Sequence, residues 1–377
     1  MAGQIVRRGD RRWLVRIYLG RDHRSGKRLY HNKTIHGSKK DAEHYRTKKL
    51  RERDLGLLVE PSKISVDSYL DQWLETAARQ RVRPRTFEDY TWLLKKYVRP
   101  RLGRKCIDQV QPFDLQELYT EMQKRGISAR TVRYTHSVLS SAFKQAVRWQ
   151  KLAHDPTVGV DLPRRVRREM RALTVEEVKR FQDAASNDPR GIVFIFLIAT
   201  GARPSEALAL RWSDTDLERG IVTIRRTLVR LKGSWHFAEP KTAKSRRAIP
   251  LPEGMVRTLK DHRRLQAEQR LRRDPKHEDH DLVFATATGA PLDLHNLTNR
   301  HFKPILHAAG LPKAIRIYDL RHTTATCLLA AGENAKVVSE RLGHSGVGLL
   351  LDTYAHVLPT MQQRATERLD TLLFGGK

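Results

Sequence analysis

Two interruptions in the patterning of this chain limit it to folds built in separate parts. Around "LVEPSKIS" the composition changes, which marks a linker at residues 58–63. At "DLPRRVRREMRAL" prolines end a helical pattern and arginines crowd together, which marks a second exposed boundary. With 377 residues, each of the three segments is long enough to bury a core of its own. The reading is a multidomain α+β chain. Residues 1–58 form a small β-sheet packed on one helix, 63–162 an all-α domain, and 171–377 a mixed, mainly α domain with a small antiparallel sheet.

Periodicity supports each part. "RRWLVRIYLG" places Trp13, Val15 and Ile17 at strand period, and "RLYHNKTIHG" reads as a second strand after a turn. "SKKDAEHYRTKKLRERDLG" is a helix with Ser38 and Asp41 at its cap. In the middle segment four stripes fall at helical spacing. They are Val66, Tyr69, Leu70, Trp73 and Leu74; Phe87, Tyr90, Leu94, Tyr97 and Val98; Leu115, Leu118, Tyr119 and Met122; and Val138, Leu139, Ala142, Phe143, Ala146 and Val147. Their aromatics read as core rather than as platforms for bases. In the third segment Thr174 and Glu177 make a capping box, and "GIVFIFLIATG" is a buried helix stopped by glycine. "IVTIRR", the 225–250 region and "LVFATATG" are expected to supply strands.

Charge narrows the partners. Lys and Arg total 72 against 42 Asp and Glu, a formal net charge of +30. So large a surplus fits a surface that neutralises phosphates and releases their counterions. The alternatives are a merely soluble basic surface or an anionic membrane. No apolar run approaches the length of a membrane span, and "MAGQIVRRGDRRW" lacks an apolar signal core, so a cytoplasmic protein is expected. Cys106 and Cys327 form neither a disulfide framework nor a zinc pattern, and "HEDH" at 277–280 reads as a solvated loop, so no metal is implied. Arg81, Arg83, Arg85, Arg130 and Arg133 lie at helix starts and loops, and Arg164 and Arg165 in the second boundary. All seven are candidate contacts to the DNA backbone.

Four patches of the third segment carry chemistry. "ATGARPSEALALRW" sets Arg203 at a glycine-rich turn, ahead of Pro204 and a helix over Glu206–Leu210. "EPKTAKSRRAIPL" places Lys241 before a polar turn and a strand, where a lysine can protonate a leaving oxygen; Lys244 is a rival in the same turn. "IRIYDLRHTTATCLLAAG" puts Arg321 in the first turn of a helix. "RLGHSGVGLLLDTYAHV" contributes His344 and, ten residues on, Tyr354. There is no carboxylate cluster of the kind metal-dependent nucleases need, and no Walker-type loop for ATP, so no cofactor is implied. What remains is a side-chain nucleophile among fixed cations. An aryl oxygen that attacks a phosphodiester keeps the bond energy in a phosphotyrosine, and a later hydroxyl can reverse the step.

In this order, "ATGARPSEALAL", "PKTAKSRR", "DLRHTTAT", "LGHS" and "DTYAHV" resemble the tyrosine recombinase family, specifically phage and conjugative-element integrases. The match is strong over the third segment. The helical segment resembles the family's core-site-binding domain more weakly, and the basic N-terminal sheet resembles an arm-site-binding domain. The resemblance implies Tyr354 as nucleophile, Arg203 and Arg321 as phosphate clamps, Lys241 as general acid and His344 as a phosphate ligand. Tyr318 stands where family members usually have histidine; a phenol donates a hydrogen bond but is a poor base at neutral pH.

The implied function is a site-specific recombinase that integrates and excises a mobile element. Its partners would be double-stranded attachment sites and, on DNA, a homotetramer. A DNA-bending protein and a directionality factor are candidate accessories. The stripe Met361, Ala365, Leu369, Leu372 and Leu373 is expected to dock on a neighbouring subunit. A type IB topoisomerase and a chromosome-dimer resolvase fit the three-part layout less well. The reading from another class is a catalytically silent DNA-binding regulator derived from an integrase.

Overall fold

Side-chain alternation along one ten-residue strand organises the N-terminal region. The computed structural model describes residues 3–21, 26–54, 64–165, 170–240, 245–271, 280–344, 346–354 and 358–375, and they form two compact units, Met1–Arg167 and Arg168–Lys377. In the first unit, β2 (Arg12–Arg21) pairs antiparallel with β1 (Gln4–Gly9) on one side and β3 (Arg28–His36) on the other. Val15 and Ile17 face inward and are fully buried with Ala42 of α1 (Lys39–Asp54). Arg16 faces outward, its guanidinium 4.3 Å from the Tyr30 ring centroid. The expected cap forms reciprocally: the Asp41 N–H donates to Ser38 Oγ at 3.2 Å, and the Ser38 N–H to Asp41 Oδ2 at 2.7 Å. Strand β1 was not legible as a strand, because Ile5 is the sole residue of this edge that packs on the apolar cluster.

The rest of the first unit has its own core. Ser65 caps α2 (Val66–Trp73), which continues through a π-helical turn (Leu74–Ala78). A second π turn (Leu94–Val98) extends α3 (Pro84–Leu93), and α4 (Pro112–Lys124) and α5 (Ala129–Arg148) follow. The four expected stripes meet inside: Tyr69, Trp73, Leu94, Leu115, Tyr119, Leu139 and Phe143 are all buried. Helices α2 and α5 are further joined by the Tyr69 hydroxyl, which donates to the Ala142 carbonyl at 2.6 Å. The linker at 58–63 lies outside the described residues.

In the second unit, the Thr174–Glu177 capping box starts α6 (Val175–Ser186), and the apolar α7 (Gly191–Thr200) runs through the core. Phe194 of α7 lies 6.3 Å from Phe181 and 5.2 Å from Phe302, ring centre to centre. The short α8 (Pro204–Ala207) is followed by β4 (Thr215–Asp216) and β5 (Ile221–Ile224). Next come a separate hairpin of β6 (Thr227–Leu231) and β7 (Ser234–Ala238), then β8 (Arg247–Pro250). The order β4-β5-β8 makes a three-stranded antiparallel sheet. "LVFATATG" corrects the expectation of a strand: it forms only isolated bridges, Arg211 with Leu282 and Ala285 with Pro291. Leu282, Val283 and Phe284 are consecutively buried, and Val283 N–H is spent on the irregular Leu210 carbonyl, so no partner strand is available.

The remaining elements are α9 (Glu253–Leu271), α10 (Leu294–Leu297), α11 (Lys303–Ala308), α12 (Asp319–Ala330), α13 (Ala335–Leu342), α14 (Val347–Tyr354) and α15 (Leu358–Phe374). Ala325, Leu329, Val338, Leu342 and Leu350 form a small core that holds α12, α13 and α14 together. Among the described residues no helix is long and apolar enough to cross a membrane. Only His280 of the "HEDH" stretch is described.

Helix α7 ends in a left-handed residue, Gly201, at φ 67°. A Cβ at this position would sit 2.5 Å from Leu342 Cδ2 and 3.3 Å from Thr324 Cγ2. Gly201→Ala should therefore destabilise the protein by about 1–3 kcal/mol through backbone strain and crowding. Urea unfolding should show a lower midpoint at unchanged slope; an unchanged midpoint would refute this account of the turn.

Candidate active site

The start of α12 is fixed before any functional side chain is considered. Buried Asp319 accepts from the Arg316 N–H at 2.8 Å and from Arg316 Nη2 at 2.7 Å. One turn on, Thr323 Oγ1 accepts from the Leu173 N–H at 3.0 Å, and Thr324 Oγ1 donates to the Ile198 carbonyl of α7 at 2.7 Å. Arg321, between these anchors, is 2% exposed. Its Nη1 donates to the Gly201 carbonyl at 2.7 Å, so the turn that stops α7 also holds this arginine.

Two residues after Gly201 comes Arg203. Its Nη1 donates to Glu206 Oε1 at 2.7 Å and its Nη2 to the Gly343 carbonyl at 3.1 Å. The expected helix over Glu206–Leu210 is corrected to the four residues of α8. Glu206 Oε2 accepts from the Arg203 N–H at 2.9 Å and caps the first turn; the helix then stops because the Ala209 and Leu210 N–H groups turn to the Glu206 and Ala207 carbonyls, three residues back instead of four. Gly343 ends α13 in the left-handed region at φ 67°, and His344 follows, its N–H donating to the Ser339 carbonyl at 3.0 Å.

Arg203, Arg321 and His344 thus converge from three separate stretches of sequence. Two further residues, which the sequence did not mark as site residues, complete the cluster. Glu206 is 1% exposed and pairs with both Arg203 and Arg247, the latter at 3.0 Å. The signal for Glu206 was its place three residues after Arg203. Arg247 had a fainter one: it alternates with buried Ile249 along a strand.

Two guanidiniums pair with one carboxylate and a third, Arg321, lies within their field, and the titration shifts follow. Burial pushes Glu206 up, but Arg247 and Arg203 outweigh it and hold the carboxyl below its ordinary range. Burial also opposes the charge on Arg203, while Glu206 and the adjacent Tyr318 hydroxyl more than restore it. Arg321 is pushed below its usual value by burial and by Arg203. Burial, then Arg321 and Arg203, push His344 down to about 4, so its imidazole is neutral at pH 7. Arg321 Nη2 and His344 Nδ1 are buried without a hydrogen-bond partner among the described residues. Unpaired buried polar atoms are destabilising by roughly 1–3 kcal/mol each, and an anion with free lone pairs would relieve that.

Lys241 and Lys244 lie outside the described residues, and for Tyr354 the backbone alone is described, at the last position of α14. Tyr318 is 42% exposed, its ring 5.5 Å from His322. Arg81, Arg83, Arg85, Arg130, Arg164 and Arg165 are exposed on the first unit. Arg85 is already ion-paired to Glu88 and Asp89 at 3.3 Å. Arg133 is half-buried and donates to the Pro163 carbonyl at 2.9 Å, so it braces its own unit. Among the described residues no group of His, Cys, Asp and Glu could hold a metal ion.

Residues 171–361, just over half of the chain, match the model of the phage integrase family, and residues 65–123 match that of the phage integrase N-terminal SAM-like domain. The chain is 29% identical to a tyrosine recombinase XerC-like protein of Caldanaerobacter subterraneus subsp. tengcongensis, over 97% of this chain and 98% of the relative. It is similar in fold to the Tn1549 transposon integrase solved in complex with transposon right end DNA: TM-score 0.68, 23% identity, 81% of this chain and 99% of that one. A lambda integrase tetramer bound to a Holliday junction also matches, with TM-score 0.57, 17% identity, 91% of this chain and 95% of that one.

The low value for His344 is testable without DNA. In ring-carbon NMR spectra its midpoint should lie near 4, and Arg321→Met should move it upward by removing the second-largest cause. A wild-type midpoint in the ordinary range near ~6.5 would overturn the electrostatic description.

Proposed function

The chain belongs to the phage integrase family and is a tyrosine recombinase, and from that premise we propose that it joins a mobile element to DNA, and releases it, through a phosphotyrosine on Tyr354. The Tyr354 oxygen attacks the scissile phosphorus, its proton passes to water, and a 3′-phosphotyrosine forms. The bond from phosphorus to the 5′ oxygen breaks, and Lys241 gives that oxygen its proton. The 5′-hydroxyl of another strand then attacks and returns its proton to Lys241, and Tyr354 leaves, taking a proton from water. Neither ATP nor a metal ion enters the balance.

The observation that carries this reading is that Arg203 and Arg321, each held by its own acceptor, lie close enough to repel, with one Arg321 nitrogen left buried and unpaired. A non-bridging phosphate oxygen supplies the missing acceptor. As negative charge builds on that oxygen in the transition state, fixed guanidiniums contribute several kcal/mol, on the order of 10²–10³-fold in rate per donor. Neutral His344 adds an uncharged hydrogen bond, and Tyr318, beside Arg203, gives another in place of the family's usual histidine.

Three domains divide the DNA work: 1–58 for arm sites, 63–162 for core sites and 171–377 for catalysis. On the first, the outward face of the sheet presents Arg16, Tyr18, Tyr30 and Asn32 to a groove. On the second, the exposed arginines at 81, 83, 85, 130, 164 and 165 follow the phosphate backbone, with Arg133 supporting them from within. The recombinase assembles as a tetramer on its attachment sites in the cytoplasm of a bacterial host. In α15, Leu369, Leu372, Leu373 and Phe374 are exposed by 57–82%, an apolar end suited to a second copy of this chain. Met361 and Ala365 of the expected stripe carry side chains outside the described residues.

Trapping tests the chemistry. With EDTA present and ATP absent, wild type should leave a denaturant-stable adduct on supercoiled plasmid carrying the DNA that flanks this gene, and Tyr354→Phe none. Tyr318→Phe should slow adduct formation. Adduct from Tyr354→Phe, or none from wild type even on nicked DNA, would sink the nucleophile assignment.

Truncation before Met361 should reduce recombination far more than DNA binding. Equal loss of the two would return α15 to its own domain.

A further inference from the structure

Arg247 opens β8, directly after the segment that carries Lys241, and its side chain is only 7% exposed. Its guanidinium reaches three places. Nη2 donates to Glu206 Oε2 at 3.0 Å, Nε to the Arg341 carbonyl at 2.6 Å, and Nη1 to the Ser245 carbonyl at 3.0 Å. It also presses on the turn before His344: a Cβ on Gly343 would lie 2.8 Å from Arg247 Nη1. Arg341 returns the contact, its Nη2 donating at 3.0 Å both to the Pro250 carbonyl at the far end of β8 and to the Ala199 carbonyl of α7. The two arginines lace β8, α13 and α7 together from both sides.

We propose that Arg247 is a positioning residue for DNA cleavage: without touching DNA, it sets where Arg203 and His344 stand. The proposal rests on the reading of those two as phosphate ligands. Glu206 is shared, with Oε1 on Arg203 and Oε2 on Arg247 and the Arg203 N–H. Without Arg247 the whole carboxylate turns to Arg203, and that guanidinium follows it away from the phosphate. At the same time the carbonyl end of α13 loses its donor and the Gly343–His344 turn loses its support. Three directed bonds from one buried plane need a guanidinium; an ammonium on a flexible stem does not reproduce them. Packing alone does not require this group, because a buried ion pair is often replaceable by apolar residues without loss of stability.

The test uses Arg247→Lys, which keeps the charge, and Arg247→Gln, which keeps two polar atoms on a shorter stem. Single-turnover cleavage is followed on full-length protein, at the site mapped by trapping, with either an ordinary scissile phosphate or a methylphosphonate there. The methylphosphonate has a methyl group in place of one non-bridging oxygen and no charge to clamp. A misplaced clamp should lower cleavage of the phosphate on the order of 10²-fold at unchanged DNA affinity. Most of that loss should disappear on the methylphosphonate. Wild-type rates on the phosphate, or equal losses on both substrates, would overturn the proposal. Loss of fold in both variants would assign Arg247 to stability instead. Absence of any adduct from wild type would sink the phosphotyrosine reading beneath it, a result distinct from either.

Discussion

One buried carboxylate makes the cationic cluster of the second unit possible. Guanidiniums repel one another, and in a low-dielectric interior that repulsion is several times larger than in water. Glu206, almost wholly buried, accepts from Arg203, from the Arg203 N–H and from Arg247. With a single negative charge it compensates part of the positive charge of three arginines. Formally two of the three positive charges remain, held in place. In the proposed reaction a phosphodiester offsets one of them in the ground state, and the growing charge of its transition state offsets more. Preorganised charge of this kind needs no rearrangement at the moment of reaction.

The framework around that carboxylate is mostly main chain. The carbonyls of Gly201, Gly343 and Arg341 accept from Arg321, Arg203 and Arg247 in turn. Each lies at or next to the end of a helix, where carbonyls lack intrahelical donors and carry the negative pole of the helix. Helix termination and arginine placement are therefore one event. The left-handed glycines turn the chain, and the carbonyls freed at those turns fix the guanidiniums.

How legible this was in the sequence differs from residue to residue. The buried stripes of the helical region could be read because a 3.6-residue period is local, and Tyr69, Trp73, Leu139 and Phe143 are buried as read. Strand β1 could not, because an edge with one packing residue carries no period. "LVFATATG" misled because an apolar run has the same composition whether it pairs in a sheet or plugs a core. At the candidate site, Arg203, Arg321 and His344 stood out through the order of short motifs. Glu206 and Arg247 did not, because their importance lies in whom they touch across 41 positions of sequence. The bond from Arg133 to the Pro163 carbonyl was equally hidden, because its partner is 30 positions away and has no side-chain signature.

The dependence of Arg321 on the Gly201 carbonyl has an evolutionary side. An acceptor made of backbone is present whatever amino acid occupies the position, so no point substitution deletes it; substitution can only move it. Glu206 has no such protection, since a single codon change removes its charge. Drift in this part of the fold is thus asymmetric. The arginine anchored to main chain tolerates sequence change around its acceptor, provided the turn survives. The arginines that share the carboxylate keep their main-chain acceptors but lose a charged partner when one letter of the sequence changes.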